Sequence, residues 1–370
     1  MFDRSMLKNL DFGLLILVLC LFVLGVTIIS SATGVAETGL NRRVIVQVIG
    51  FLIGGGFAFL LLLVDYKSLT DMYKFVYVAS LLVMLTVYIP GLGVNQMGAR
   101  SWIDLKIMYF QPAELAKLGF IICFAKYIEN QQGQITNLLD LLKIGLFISP
   151  FLIILLKQPD LGTALVFLFI ACGMVYVGGV DRKLIVGVLI ATIIAMPISY
   201  HFMESHQKER IDAFLNPNDP TLTGNYQVMQ SKITIGSGQL MGTGLFKGVY
   251  HKSDYLPIKE SDFIFSVLGE ETGFVGGSIT IFLYFLFLTK LNHVAIKAKD
   301  EIGSLVAVGV TFMFAFQIIE NIGMTIGMMP VTGVTLPFLS YGGSSIMISM
   351  MGVGLAMNVH IRRRRTHYNL

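Results

Sequence analysis

The chain has 370 residues, 55% hydrophobic and only 14% charged, with mean hydropathy +0.74 and a formal net charge of +4. A soluble domain carries about 25% charged residues, and here the apolar residues fall in blocks near the roughly 20 needed to cross a bilayer. An ordinary soluble domain is excluded, and the basic residues are scattered through short loops, so the positive charge does not mark a nucleic-acid partner.

Taken in chain order, ten spans are expected, at about 12–31, 44–64, 75–90, 112–128, 141–157, 161–179, 184–200, 263–289, 304–328 and 341–360. Lipid offers no partners for backbone N–H and C=O groups, and none of these runs alternates as a barrel strand does. The fold class is all-α, a polytopic integral membrane protein in one domain over residues 1–370. Residues 12–29, followed by Ser30, Ser31 and Ala32, imitate a signal peptide and are expected to stay as the first span. Cys20, Cys123 and Cys172 are odd in number and lie in apolar runs. They read as core residues, with neither a disulfide framework nor metal-ligand spacing.

Lysine and arginine placement sets the orientation. With the N-terminus inside, Arg4, Lys8, Lys67, Lys74, Lys126, Lys143, Arg182, Lys183, Lys290, Lys297, Lys299 and Arg362 to Arg365 fall on the cytoplasmic side. The short outer loops hold only Arg42, Arg43, Arg100 and Lys106, with Lys157 near an outer span end. Both termini are expected in the cytoplasm, and the long polar segment of about 201–262, between the seventh and eighth spans, faces outward. In the loop before the fourth span, Trp102, Tyr109 and Phe110 suit the headgroup level, and Pro112 suits a first helical turn.

Ionisable groups inside spans are costly and mark cavities or partners. Glu114 and Lys117 stand three apart, so they share a helix face. They read either as an ion pair locking two helices or as a polar site open to the outside. Asp160, in Lys157-Gln-Pro-Asp-Leu-Gly-Thr163, reads equally as a helix cap or a functional group. Glu270 and Glu271 are adjacent and diverge by about 100° on a helix, so one partner does not easily serve both. They read as structural, as does Glu320, with a basic partner expected for at least one of the adjacent pair. Asp262 is different. It sits where the longest polar segment meets an apolar run, with Pro257 before it and Gly269, Gly273, Gly276 and Gly277 after it. The alternatives there are catalysis at the water–membrane boundary or an N-cap. Residues 337–345, with a glycine pair, form either a further outer loop or a tight turn into the last span. Gly242-Thr-Gly244 lacks the strand and third glycine of a dinucleotide loop, and there is no P-loop and no His-Glu-x-x-His.

Several stretches together resemble the SEDS proteins (shape, elongation, division and sporulation). They are Gly98-Ala-Arg-Ser-Trp-Ile-Asp104, Gln111-Pro-Ala-Glu-Leu-Ala-Lys117, Gln158-Pro-Asp-Leu-Gly-Thr163, Gln230-Ser-Lys-Ile-Thr-Ile-Gly-Ser-Gly238, Ser261-Asp-Phe-Ile-Phe265, Gly269-Glu-Glu271, Asn321-Ile-Gly323 and Met329-Pro-Val-Thr-Gly-Val-Thr-Leu-Pro-Phe-Leu-Ser-Tyr-Gly-Gly-Ser-Ser345. They run in order through nearly the whole chain, and the Pro-Val-Thr-Gly form favours the rod-shape branch over the division branch. The resemblance implies a bacterial peptidoglycan glycosyltransferase that polymerises lipid II at the outer face of the cytoplasmic membrane. Its implied partners are a class B penicillin-binding protein, the nascent glycan and other membrane proteins of the elongation complex. Asp262 corresponds to the family's essential Asp, and Glu114 and Lys117 to its motif Glu and Lys. Arg100, Asp160 and Ser345 are further supporting or substrate-binding candidates. Under that reading Asp262 acts as general base, and Lys117, Arg100 or a divalent metal, Mg or Mn, stabilises the pyrophosphate leaving group. The sequence departs from the family at Ile258 and Glu260, which replace Glu and His, so no role carries over to those two. A flippase for the lipid-linked precursor and a non-catalytic scaffold for a penicillin-binding protein are the alternatives.

Overall fold

The structure, a computed structural model, describes residues 9–34, 41–96, 99–131, 137–180, 205–217, 221–251 and 256–363, together with residues 187, 200 and 219. Apart from Gly187 and Tyr200, the seventh expected span lies outside the described residues, as do Arg4, Lys8, Arg182, Lys183, Arg364 and Arg365. The other nine expected spans fall on helices.

These are α1 (Phe12–Ala32), α2 (Arg42–Leu63), α4 (Tyr73–Leu85), α5 (Pro112–Asn130), α6 (Leu138–Lys157), α7 (Leu161–Val177), α10 (Ile264–Ile296), α11 (Glu301–Thr325) and α12 (Gly343–Ile361). A short α3 (Tyr66–Asp71) precedes α4, and α8 (Ser205–Leu215) and α9 (Thr223–Ser237) lie in the long polar segment. Polar residues set the starts. Asp11, Asn41, Asp160 and Asp300 each accept a backbone N–H from the first turn they precede, and Pro112 opens α5. Among the described residues six helices (α1, α2, α6, α10, α11 and α12) are long and apolar enough to cross a membrane, and α4 and α7 are shorter apolar ones. Four charges, Glu114, Lys117, Lys126 and Glu129, lower the apolar character of α5.

The helices α11 and α12 are the most enclosed. Where α12 meets α2, small residues let the backbones touch. A Cβ on Gly54 would lie 2.7 Å from the Met347 carbonyl oxygen, and one on Gly354 would lie 2.6 Å from the Ala58 Cα. Lipid supplies no hydrophobic drive between helices, so close packing of this kind holds them. Ion pairs gather at one end of the bundle: Asp11–Lys290 (3.1 Å), Lys67–Asp300 (2.9 Å) and Asp65–Arg362 (3.4 Å).

At the opposite end the loop before α5 forms a small antiparallel sheet, β1 (Gly93–Gln96), β2 (Ala99–Asp104) and β3 (Tyr109–Phe110). Val94 pairs with Trp102, and Ile103 with both Gly93 and Phe110. The sequence reading placed no strands here. β-branched and aromatic residues favour pairing, but strands this short leave no periodicity to read.

The helix α10 is broken at Gly273 (φ 67°, ψ −167°). Residues 239–244 dock into the break. The N–H groups of Thr243 and Gly244 donate to the carbonyls of Glu270 and Glu271, and those of Phe274 and Val275 donate to the carbonyls of Gln239 and Leu240. A Cβ at 273 would strike the Gly242 nitrogen and the Leu240 carbonyl, at a positive φ that only glycine adopts without strain. Gly273→Ala is expected to lower stability by about 1–3 kcal/mol from backbone strain alone. Thermal unfolding of the purified variant in detergent measures this, and an unchanged midpoint would contradict it.

Candidate active site

Asp262 lies in the turn just before α10, at the sheet end of the bundle. Its backbone is pinned by three neighbours. The Asn321 amide donates to the Asp262 carbonyl (3.0 Å) and to the Val334 carbonyl (2.8 Å). The Ser340 hydroxyl donates to the Ser261 carbonyl (2.7 Å), and the Tyr341 N–H donates to the Glu260 carbonyl (2.9 Å). The segment that supplies two of these bonds is itself held inside protein. Gln47, buried in α2, donates to the Ser340 carbonyl (3.0 Å) and accepts the Gly342 N–H (3.1 Å), and Tyr284 donates to the Pro337 carbonyl (2.5 Å). Residues 337–345 are therefore a turn into α12 that also forms one wall of the site.

The side chain of Asp262 is not a cap. The residue at the N-cap of α10 is Phe263, with no side-chain capping bond. The Asp262 carboxylate accepts one hydrogen bond, from the Ser261 hydroxyl (3.0 Å). Burial pushes this carboxyl above the usual carboxylate range, while the Ser261 bond and the nearby Arg210 charge pull the other way. Gly333 faces it closely, since a Cβ there would lie 3.3 Å from Oδ2. Arg210, on α8, donates to the Thr332 carbonyl (3.2 Å), and its charge acts on both Asp262 and Glu320. Glu320, read from sequence as structural, has no ion pair among the described residues. It is buried, and neither carboxylate oxygen has a hydrogen bond among the described residues.

Glu114 and Lys117 form an ion pair at 2.7 Å within one turn of α5. Lys117 is 1% exposed and the Glu114 side chain 9%, so the pair is sealed in the bundle and is not a site open to the outside. It joins no two helices by itself. Asp160 is a helix cap, with Oδ1 accepting the Thr163 N–H at the start of α7 (3.0 Å), and its Oδ2 also accepts the Gln111 amide (2.7 Å). Through Gln111 it ties the start of α5 to the start of α7, near enough to feel the Glu114 and Lys117 charges. Gly162 packs against the Thr332 carbonyl, so this cluster and Asp262 lie on either side of residues 332–333. Ser345 shares a hydrogen bond with Thr335 (2.7 Å) on the same strip. Arg100 stands over Gly93 in the sheet, and no hydrogen bond or ion pair joins it to Asp262 among the described residues.

Other partners were not foreseen. Glu260 pairs with Arg43 (2.9 Å), and Ile258 takes a positive φ of 53°. Glu270 and Glu271 do share a base, contrary to expectation. His251 Nδ1 lies 2.7 Å from Glu270 Oε2, and its Nε2 lies 3.8 Å from Glu271 Oε1. The two ring nitrogens point in different directions, so one imidazole between diverging carboxylates bonds Glu270 and stands close to Glu271 without a hydrogen bond to it. Glu270 also accepts the N–H groups of Val249, Tyr250 and His251, and Glu271 accepts that of Phe246 and the Ser31 hydroxyl. The pair thus fastens residues 246–251 onto α10. For the expected divalent cation, the described residues offer no cluster of three His, Cys, Asp or Glu donors. A divalent cation would there need oxygens from its substrate to complete its shell.

A polytopic helical membrane protein with a pinned carboxylate, buried charges and a cation gathered at one end of its bundle is the class that this fold and site define. The chain belongs to the FtsW/RodA/SpoVE family, whose model, described as "Cell cycle protein", matches residues 12–365. Stage V sporulation protein E of Bacillus subtilis (strain 168) is 35% identical over 362 residues, covering 94% of this chain and 96% of that protein. Peptidoglycan glycosyltransferase MrdB of Escherichia coli (strain K12) is 32% identical, covering 96% of this chain and 95% of that protein. Among solved structures, a chain from work on the structural coordination of polymerization and crosslinking by a peptidoglycan synthase complex superposes with a TM-score of 0.82. It is 32% identical, and the match covers 96% of this chain and 99% of that one. The crystal structure of the rod shape determining protein RodA of Thermus thermophilus matches with a TM-score of 0.71 at 31% identity, covering 96% of this chain and 98% of that one.

Proposed function

We propose that the chain is a peptidoglycan glycosyltransferase that polymerises lipid II at the outer face of the bacterial cytoplasmic membrane during elongation. The acceptor sugar hydroxyl attacks the anomeric carbon of the donor with inversion. The anomeric C–O bond breaks, the polyprenyl pyrophosphate leaves with the electron pair, and Asp262 takes the hydroxyl proton. The observation that carries this reading is the state of Asp262, whose backbone is pinned from three sides while its carboxylate is free of capping duty. A general base needs a fixed position and free lone pairs. Buried Glu114 and Lys117 and half-buried Asp160 brace the same end of the bundle.

Relatives named as peptidoglycan glycosyltransferases, and a structural neighbour from a peptidoglycan synthase complex, support the reading. They also support a class B penicillin-binding protein as the partner. The lysine and arginine pattern supports cytoplasmic termini, with residues 201–262 outside. The test is the purified chain and its partner incubated with lipid II in detergent micelles. Glycan polymer is the expected product, because no membrane is present to be crossed. A flippase or a scaffold would give none. In parallel, Lys247→Cys, in the exposed loop, should react with an impermeant thiol reagent on spheroplasts. Labelling only after lysis would reverse the topology.

A further inference from the structure

A cavity of about 410 Å³ opens between α8, α9 and residues 327–331. Two cations line it, Arg210 and Lys232, together with apolar Phe214, Met229, Ile233 and Val331. Lys232 lies over Gly327 and makes no hydrogen bond or ion pair among the described residues. One carboxylate, Asp219, also lines the cavity, and it is occupied by the Thr221 N–H (2.9 Å) and hydroxyl (2.6 Å). The cavity therefore holds more positive charge than its own anions use. Its rim carries large exposed apolar groups: Phe214 is 42% exposed, Met229 51% and Ile233 41%. The wall continues through residues 332–333, which touch Arg210 on one side and the Asp262 carboxylate on the other.

Two cations with no ion pair among the described residues, beneath an apolar rim, suit an amphiphilic anion, whose phosphates sit on the charges while its hydrocarbon runs out over the rim. We propose that this cavity binds the pyrophosphate and first isoprene units of a polyprenyl-pyrophosphate-linked glycosyl donor, with Arg210 and Lys232 as the phosphate-binding cations. The proposal rests on the polymerase reading and refines it. The charge that develops on the leaving pyrophosphate falls to Arg210 and Lys232, in place of the Arg100 and Lys117 expected from sequence. Lys117 is committed to Glu114, and Arg100 stands over the sheet. Arg210 then links leaving group and base, because its charge also reaches Asp262.

The experiment measures binding of radiolabelled undecaprenyl pyrophosphate to the full-length protein in detergent, with thermal unfolding of each variant alongside. Lys232→Met and the double variant Arg210→Gln/Lys232→Met should weaken binding at least tenfold. Met229→Trp fills the cavity with both cations kept and should weaken it comparably, so the proposal stays testable if the double variant misfolds. Unlabelled farnesyl pyrophosphate should compete, and farnesol and phosphatidylglycerol should not. Wild-type binding in Lys232→Met and Met229→Trp would overturn the site. Equal competition by phosphatidylglycerol would overturn the pyrophosphate assignment and leave a general anionic-lipid site. Binding that depends on Lys232 without any polymer formed would sink the polymerase reading and spare the site, whereas polymer made with binding indifferent to Lys232 would do the reverse.

Discussion

Asp262→Asn is expected to fold, insert and bind its partner, yet to polymerise lipid II at least about 100-fold more slowly, the usual loss when a general base is removed. Asn has nearly the same shape and caps helices as well as Asp, so a capping role would survive the change. The structure already removes that role, since Phe263 stands at the N-cap position. Asp262→Glu keeps the carboxylate but shifts it by one methylene against a backbone pinned by Asn321, Ser340 and Tyr341, and partial activity is expected. Wild-type turnover in well-folded Asp262→Asn would end the general-base assignment. The variant also has a stability signature. Burial holds the Asp262 carboxyl above its ordinary value of 3.8, so the folded protein keeps this proton more tightly than the unfolded chain does. Ionising Asp262 therefore costs stability as pH rises from 3.8 through the raised value. Asp262→Asn should melt above wild type at neutral pH, with the gain fading as pH falls toward 3.8. Wild-type activity should fall on the acid side at a pH above that ordinary value.

The second large effect belongs to Glu114 and Lys117. Removing one partner of a buried ion pair leaves an uncompensated charge and costs about 3–5 kcal/mol. Glu114→Ala and Lys117→Ala should each lose most of the folded yield, with Lys117→Ala also leaving Asp160 beside an unopposed carboxylate. The double variant should fall well short of the sum, with a coupling energy of about 0.5–3 kcal/mol, as contacting residues show. Denaturation of the four proteins in detergent gives the cycle. Additivity within about 0.5 kcal/mol would mean that the 2.7 Å contact carries no energy.

What could be read in advance followed from local rules. Apolar block length located nine of the spans among the described residues, the i,i+3 spacing paired Glu114 with Lys117, and a polar–apolar junction singled out Asp262. What was missed depends on contacts between distant parts of the chain. Arg43 meets Glu260, Gln47 braces Ser340, and Arg210 approaches Asp262 only after the bundle has formed. Gln47 left a trace, a neutral polar residue in an apolar run, but it carries no ionisable group to mark it as costly in lipid. The shared His251 went unseen for a different reason: an angular argument about one helix says nothing of a partner with two nitrogens.

The break at Gly273 also bears on how the protein is made. Around it, two carbonyls and two N–H groups of α10 take partners on residues 239–244, a stretch that is synthesised earlier and belongs to the polar segment. Each such group left bare in lipid costs several kcal/mol. The first two turns of this span are thus not a self-sufficient insertion unit. They settle with all four groups paired once residues 239–244 have come to rest beside them, which couples placement of the polar segment to seating of the helix behind Asp262.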